Sequence, residues 1–244
     1  MRFFLSFLVL SSTACIAVSP SPMTGFHAQV TPQERNTVTV SGYAQYLSGV
    51  LMPESLGGEA RVEWQIVDRI SLGVGFGGMM TPWGRFHFVK SESDPSQIGV
   101  IKPIWWMAGR FFGRWNPSTI DWMALTWGGG GGGLNIGAAY LTADIGLLFG
   151  SDARKAVDVY GGPMLAGSIP ITKADPWQFN SWTTVVERWL PATAYGAGIL
   201  GMGVRLLGPL RMTFEVSAGG LVTTWGAATF NWTGSVGMRY AIGP

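Results

Sequence analysis

From Glu59 to Met79 the chain alternates with period two, and this limits it to strands with two unlike faces. Ala60, Val62, Trp64 and Ile66 share one face, followed by Ile70, Leu72, Val74 and Phe76. Glu59, Arg61, Glu63 and Gln65 share the other, followed by Ser71, Gly73, Gly75 and Gly77. The polar link Val67-Asp68-Arg69 between the halves predicts an antiparallel hairpin. Pairing of like faces then sets the Glu/Arg/Glu row beside a row of glycines. Large side chains against none is how a narrow barrel fills its interior. A solvated face on an ordinary β-sandwich would read the same way in this stretch alone.

Composition separates the two. Charged residues make up 12% of the 244, against about 25% in soluble domains. Apolar residues make up 47%, with 36 glycines and 12 tryptophans. A soluble domain so poor in charge would struggle to cover its surface. Yet no apolar run reaches the ~20 residues that a spanning helix needs. The longest are broken by Lys102-Pro103, Asp144 or Arg205. Apolar content without a spanning helix points to a membrane barrel. A net charge of +2 is too small to argue for nucleic acid.

The first 28 residues read as an export signal and lead. Arg2 supplies the positive end, Phe3 to Leu10 the apolar core, and small residues follow to Ala17. Cleavage is expected between residues 17 and 28. The lone Cys15 sits where a lipoprotein signal places its lipidated residue, but Ser12-Thr13-Ala14 before it matches such a signal weakly. A barrel domain is expected over 36–244.

Strand patterns recur beyond the hairpin. Thr142, Asp144 and Gly146 oppose Ile145, Leu147 and Phe149; Asp158 and Tyr160 oppose Val157 and Val159. Arg205 alternates with Val204 and Leu206, Glu215 with Phe214 and Val216, and Arg239 with Met238 and Tyr240. Short polar links near Asp68, Ser151 and Pro209 alternate with long ones over 80–133 and 168–191. Over 80–133 two readings stand. Asn116-Pro117 is a good helix start, which would make Trp122 to Trp127 a short surface helix and give eight strands. Ile104 to Gly113 and Ile120 to Trp127 as strands would give ten. Eight is the favoured count. A second helix start stands at Asp175-Pro176, and Gly128 to Gly133 reads as a flexible hinge.

These features together resemble the small outer-membrane β-barrel proteins of Gram-negative bacteria. The resemblance covers roughly Asn36 to Pro244 and is one of architecture. It implies an antiparallel up-and-down barrel in the outer membrane, with short periplasmic turns and long outer loops that carry short helices. It implies the lipid bilayer and lipopolysaccharide as surroundings, and barrel-insertion machinery and periplasmic chaperones as partners. Such proteins usually end in an aromatic residue; here Tyr240 is followed by Ala241-Ile242-Gly243-Pro244.

The candidate site is the lumen. Its expected charges are Glu59, Arg61, Glu63, Asp144, Asp158, Arg205, Glu215 and Arg239. Buried charges need partners, so a plugging ion network is the plain expectation and a narrow polar pathway the sharper one. Three arginines against five acids would mildly favour cations. Trp64, Trp232 and Tyr240 fit the aromatic girdle. Trp105, Trp106, Trp115, Trp122, Trp127, Trp177, Trp182 and Trp189 form a loop set that could cover the mouth, lie on lipid or bind a partner.

Other motifs yield little. Gly196-Ala197-Gly198-Ile199-Leu200-Gly201 spells a dinucleotide fingerprint, but glycines and a proline follow where its helix should start. His87, near Ser91 and Ser93, is a thin basis for a lipid-modifying enzyme. No catalysis, cofactor or metal site is expected. The function expected is structural or surface-interacting, with a side-chain-filled lumen, and a narrow pore or carrier is the alternative.

Overall fold

The computed structural model describes residues 30–49, 55–80, 105–117, 120–135, 137–173, 192–224, 226 and 228–243. Ten strands make up the fold: β1 Val38–Gly49, β2 Ser55–Val67, β3 Ile70–Met80, β4 Trp105–Trp115, β5 Met123–Leu134, β6 Ala139–Gly150, β7 Val157–Pro170, β8 Thr193–Leu207, β9 Leu210–Thr223 and β10 Ala228–Ile242. Each pairs antiparallel with its neighbours in sequence, and β1 closes on β10. Closure leaves no free sheet edge, as a bilayer demands.

This overturns the favoured eight strands and the helical segments. The region around Asn116 supplies β4 and β5, and no helix occurs among the described residues. Asn116 caps nothing; its buried side chain donates to the carbonyls of Val30 at 2.6 Å and Met123 at 3.0 Å. The six glycines are not a hinge. They pair on one side with Met107 to Phe112 and on the other with Ala139 to Asp144. Glycine is a poor helix former, and between two good strands its backbone completes a ladder as any residue's would. The segment around Asp175 lies outside the described residues.

The hairpin pairs Glu59 with Gly77, Arg61 with Gly75, Glu63 with Gly73 and Gln65 with Ser71. The polar side chains in these pairs therefore fall on the lumen face. Along every strand the opposite face carries exposed apolar residues, among them Val40, Val62, Val74, Phe111, Ile145, Leu165, Leu200, Val216 and Met238. Phe111 is 74% exposed. A water-facing surface of this kind would cost ~25 cal/mol for every Å² of apolar area, and it far exceeds the patches that soluble monomers carry. Its solvent is hydrocarbon. No helix among the described residues is long and apolar enough to cross a membrane; the strands cross it.

The start of β1, the end of β10 and the shortest connections, Val67 to Ile70 and Leu207 to Leu210, share one end of the barrel. Met80 and Trp105, and Ser168 and Thr193, stand at the other, and 24 and 22 residues separate those strands in sequence. By the asymmetry of such barrels, the first end is the inner one. Bulges mark the inner rim, one between Gln65 and Val67 and one between Arg205 and Leu207. Gly208 takes φ +52° in the two-residue turn after the second, a conformation that glycine adopts without strain.

Candidate functional site

The lumen is built from the inward face of each strand, so its contents follow from strand parity. Arg61 and Glu59 are two apart on β2 and meet at 2.7 Å, both nearly fully buried. The Arg61 guanidinium lies 5.1 Å from the Tyr43 ring and 5.4 Å from the Phe112 ring, a cation between two aromatic faces. Arg114 meets Glu63 at 2.9 Å, and the Ser71 hydroxyl donates to the same carboxylate. Arg110 reaches Asp144 at 2.7 Å. Near the inner rim Arg211 pairs with Asp158 and donates to the carbonyls of Ala153 and Lys155.

Missing side chains make room for these groups. A methyl on Gly75 would overlap the Glu59 carboxylate, and one on Gly203 the Asp158 carboxylate. Gly237 and Gly201 likewise face the rings of Tyr43 and Tyr160.

Two apolar clusters complete the filling. Toward the outer end, Leu47, Met79, Trp106, Leu134, Ala138 and Tyr140 pack together. Along the opposite wall, Leu148, Met164, Ala166, Tyr195, Ala197, Ile199 and Leu221 are buried with Val30. Between the first cluster and the Arg110–Asp144 pair lies a cavity of about 20 Å³, room for one water. Val30 and Thr31 enter the inner mouth, where the Thr31 hydroxyl accepts from the Ala153 amide at 3.0 Å.

Of the eight expected lumen charges, Glu59, Arg61, Glu63, Asp144, Asp158, Glu215 and Arg239 face inward. Arg205 does not. It is in register with Arg211 but is the last pair before a bulge, and its exposed guanidinium donates to the Arg154 carbonyl at 2.6 Å on the inner rim. Arg110, Arg114 and Arg211 were missed. The first two lie in the region whose strands were undecided. Arg211 shares parity with Thr213 and Glu215 but sits beside a turn. With these changes five arginines face five acids, and the expected cation-favouring excess disappears.

The tryptophans divide differently from the expectation. Trp64, Trp105, Trp115, Trp127, Trp232 and Tyr240 face outward on strands, and Trp232 meets Tyr46 at 5.4 Å between ring centres. Trp122 lies in the inner connection, stacked on Phe149 at 6.1 Å. Trp106 is no anchor, because its inward position on β4 makes it part of the outer lumen cluster. Trp177, Trp182, Trp189, His87, His27 and Cys15 lie outside the described residues. The dinucleotide-like glycines sit within β8, with no helix after them.

Closed barrel, apolar exterior and charged, filled interior define a transmembrane β-barrel of the outer-membrane type. No protein-family model matches the chain, and no curated protein sequence matches it. Solved structures resemble the chain at low identity. An outer-membrane channel from Pseudomonas putida F1 is 7% identical, with a TM-score of 0.49 over 90% of this chain and 100% of that one. The β domain of the Bordetella autotransporter BrkA is 9% identical, with a TM-score of 0.49 over 84% and 99%. Neisserial surface protein A is 8% identical, with a TM-score of 0.41 over 84% and 95%. Roles are not transferable at such distances.

Proposed function

We propose that this chain is a plugged outer-membrane barrel, with a structural role or a surface-interaction role carried by its long outer connections. One observation carries the reading: the guanidinium and carboxylate layer of Arg61, Glu59, Arg114 and Glu63 is almost wholly buried inside the barrel. A pathway for ions needs hydrated charges, whereas these are consumed by each other and by the rings of Tyr43 and Phe112. The balance of five acids and five arginines supports a filling rather than a selective lining. On this reading the barrel faces lipid on its sides and lipopolysaccharide at its outer rim. Periplasmic chaperones and the insertion machinery deliver it, and it performs no catalysis.

Planar-bilayer recording of the refolded full chain tests the reading. A silent bilayer is expected. Reproducible conductance steps would replace it with the narrow-pore alternative.

A further inference from the structure

We propose that the inner mouth of the barrel binds a small phosphate-type oxyanion on Arg239. Three arginines stand in one lateral row on neighbouring strands: Arg239 on β10 pairs with Arg211 on β9, which pairs with Arg205 on β8. Like charges directly opposite one another on a sheet repel, so such a row needs anions. Two of its members are provided for. Arg211 holds Asp158 and two carbonyls, and Arg205 turns out to the Arg154 carbonyl.

Arg239 has no comparable contact. It is only 4% exposed; Glu63 and Asp158 act on its charge, but among the described residues its side chain makes no hydrogen bond and no close ion pair. Glu215 serves Arg61 and Tyr160 instead, and it pairs with Ser235, four residues further up the same strand from Arg239. The two lie at different depths, since a strand rises ~3.3 Å per residue.

Arg239 lines a cavity of about 390 Å³ that opens at the inner rim. Arg154, Arg205, Arg211, Thr37 and Thr39 line it too, with Glu34 the one carboxylate among four arginines. The volume suits a phosphate or a lipid headgroup with its water. A guanidinium fork matches phosphate oxygens geometrically, and the Thr37 hydroxyl can donate to them, while that of Thr39 is given to Gln33. Glu63 and Asp158 offset the Arg239 charge without hydrogen-bonding to it, and an anion from the periplasmic side would supply the direct contacts that a buried guanidinium favours.

The test uses the full chain, refolded in maltoside detergent and phosphate-free buffer. The Arg239 guanidinium nitrogens are followed by NMR while inorganic phosphate is added. In a second arm the micelles are doped with phosphatidylglycerol instead. Saturating shifts of Arg239 in the first arm identify a soluble anion, and in the second a headgroup; either supports the site. Arg239→Gln should weaken the binding by about tenfold, the worth of one charge-assisted contact. No Arg239 shift in either arm overturns the proposal, as does binding that Arg239→Gln leaves within about twofold. Heat-modifiable gel mobility checks that the variant folds. If it does not, the parent decides: a shift reproduced by chloride at equal ionic strength overturns the site.

Discussion

Arg110 on β4 and Asp144 on β6 meet at 2.7 Å across a strand that lies between them. The strand is β5, and the pair passes over Gly128, where any side chain would collide with both groups. The glycine run and the ion pair are therefore one device. The wall is stripped of side chains so that two long ones can meet over it.

The device sets different costs for three successive glycines. A methyl on Gly129 points outward, with its nearest neighbour the Thr142 carbonyl at 3.5 Å, so Gly129→Ala should be within about 0.5 kcal/mol of neutral. Gly130→Ala strikes the backbone of Gly109 and Arg110 and should cost about 1–3 kcal/mol. Gly128→Ala strikes only the movable end of Arg110 and the Asp144 carboxylate, so it should cost less than Gly130→Ala while displacing the pair. Guanidinium unfolding of the refolded variants measures all three. Equal costs would show that β5 does not alternate as described.

Removing one half of a buried pair leaves the other uncompensated. Arg110→Met and Asp144→Leu should each cost about 3–5 kcal/mol, and the double variant much less than their sum. A thermodynamic cycle built on unfolding midpoints reads this directly. Strict additivity would mean that the two groups do not interact.

The strands were legible wherever an apolar residue alternated with a small or charged one, as in β2, β3, β9 and β10. Two regions resisted. In β5 six glycines carry no face at all, so the period that marks a strand is silent there. In β4 the apolar face and the lumen face both hold aromatics, Trp105 and Phe111 outward and Trp106 and Phe112 inward, which hides the alternation. Those silences cost two strands in the count and two arginines in the lumen. Arg205 failed for another reason. It keeps its register opposite Arg211, but it is the last pair before a bulge, so its guanidinium reaches the exposed rim, and nothing in Val204-Arg205-Leu206-Leu207 announces that bulge.

Brominated lipids test which tryptophans face the bilayer. Variants keeping only Trp64, Trp115 or Trp232 should be strongly quenched, because each is about half exposed on the outer face. One keeping only Trp106 should be nearly unaffected, because that ring is 7% exposed inside the lumen. Strong quenching of Trp106 would reverse the facing of β4.

The inner turn predicts a pH response. Hydrogen bonds from the Arg154 guanidinium and amide hold the Asp152 carboxyl below the usual carboxylate range. A carboxyl depressed on folding contributes stability above its unfolded value and loses it as pH falls through the folded one. The Thr31 hydroxyl reaches this carboxylate at 3.4 Å. The attachment of the segment around Thr31 should therefore persist at neutral pH and loosen only below about pH 4. NMR titration of the Asp152 carboxyl carbon checks this, and Arg154→Ala should return it toward the ordinary value. An ordinary value in the parent would contradict the geometry.

The closed lumen is tested most directly by thiol labelling. Ser41 and Thr233 face inward at 7% and 2% exposure on β1 and β10. In a background without Cys15, Ser41→Cys and Thr233→Cys should resist a water-soluble thiol reagent in the folded barrel and react at once after unfolding. Adding Arg61→Ala to either should speed labelling, because the plug loses its central cation. Labelling of both cysteines in the folded parent barrel at the unfolded rate would mean an open, water-filled lumen.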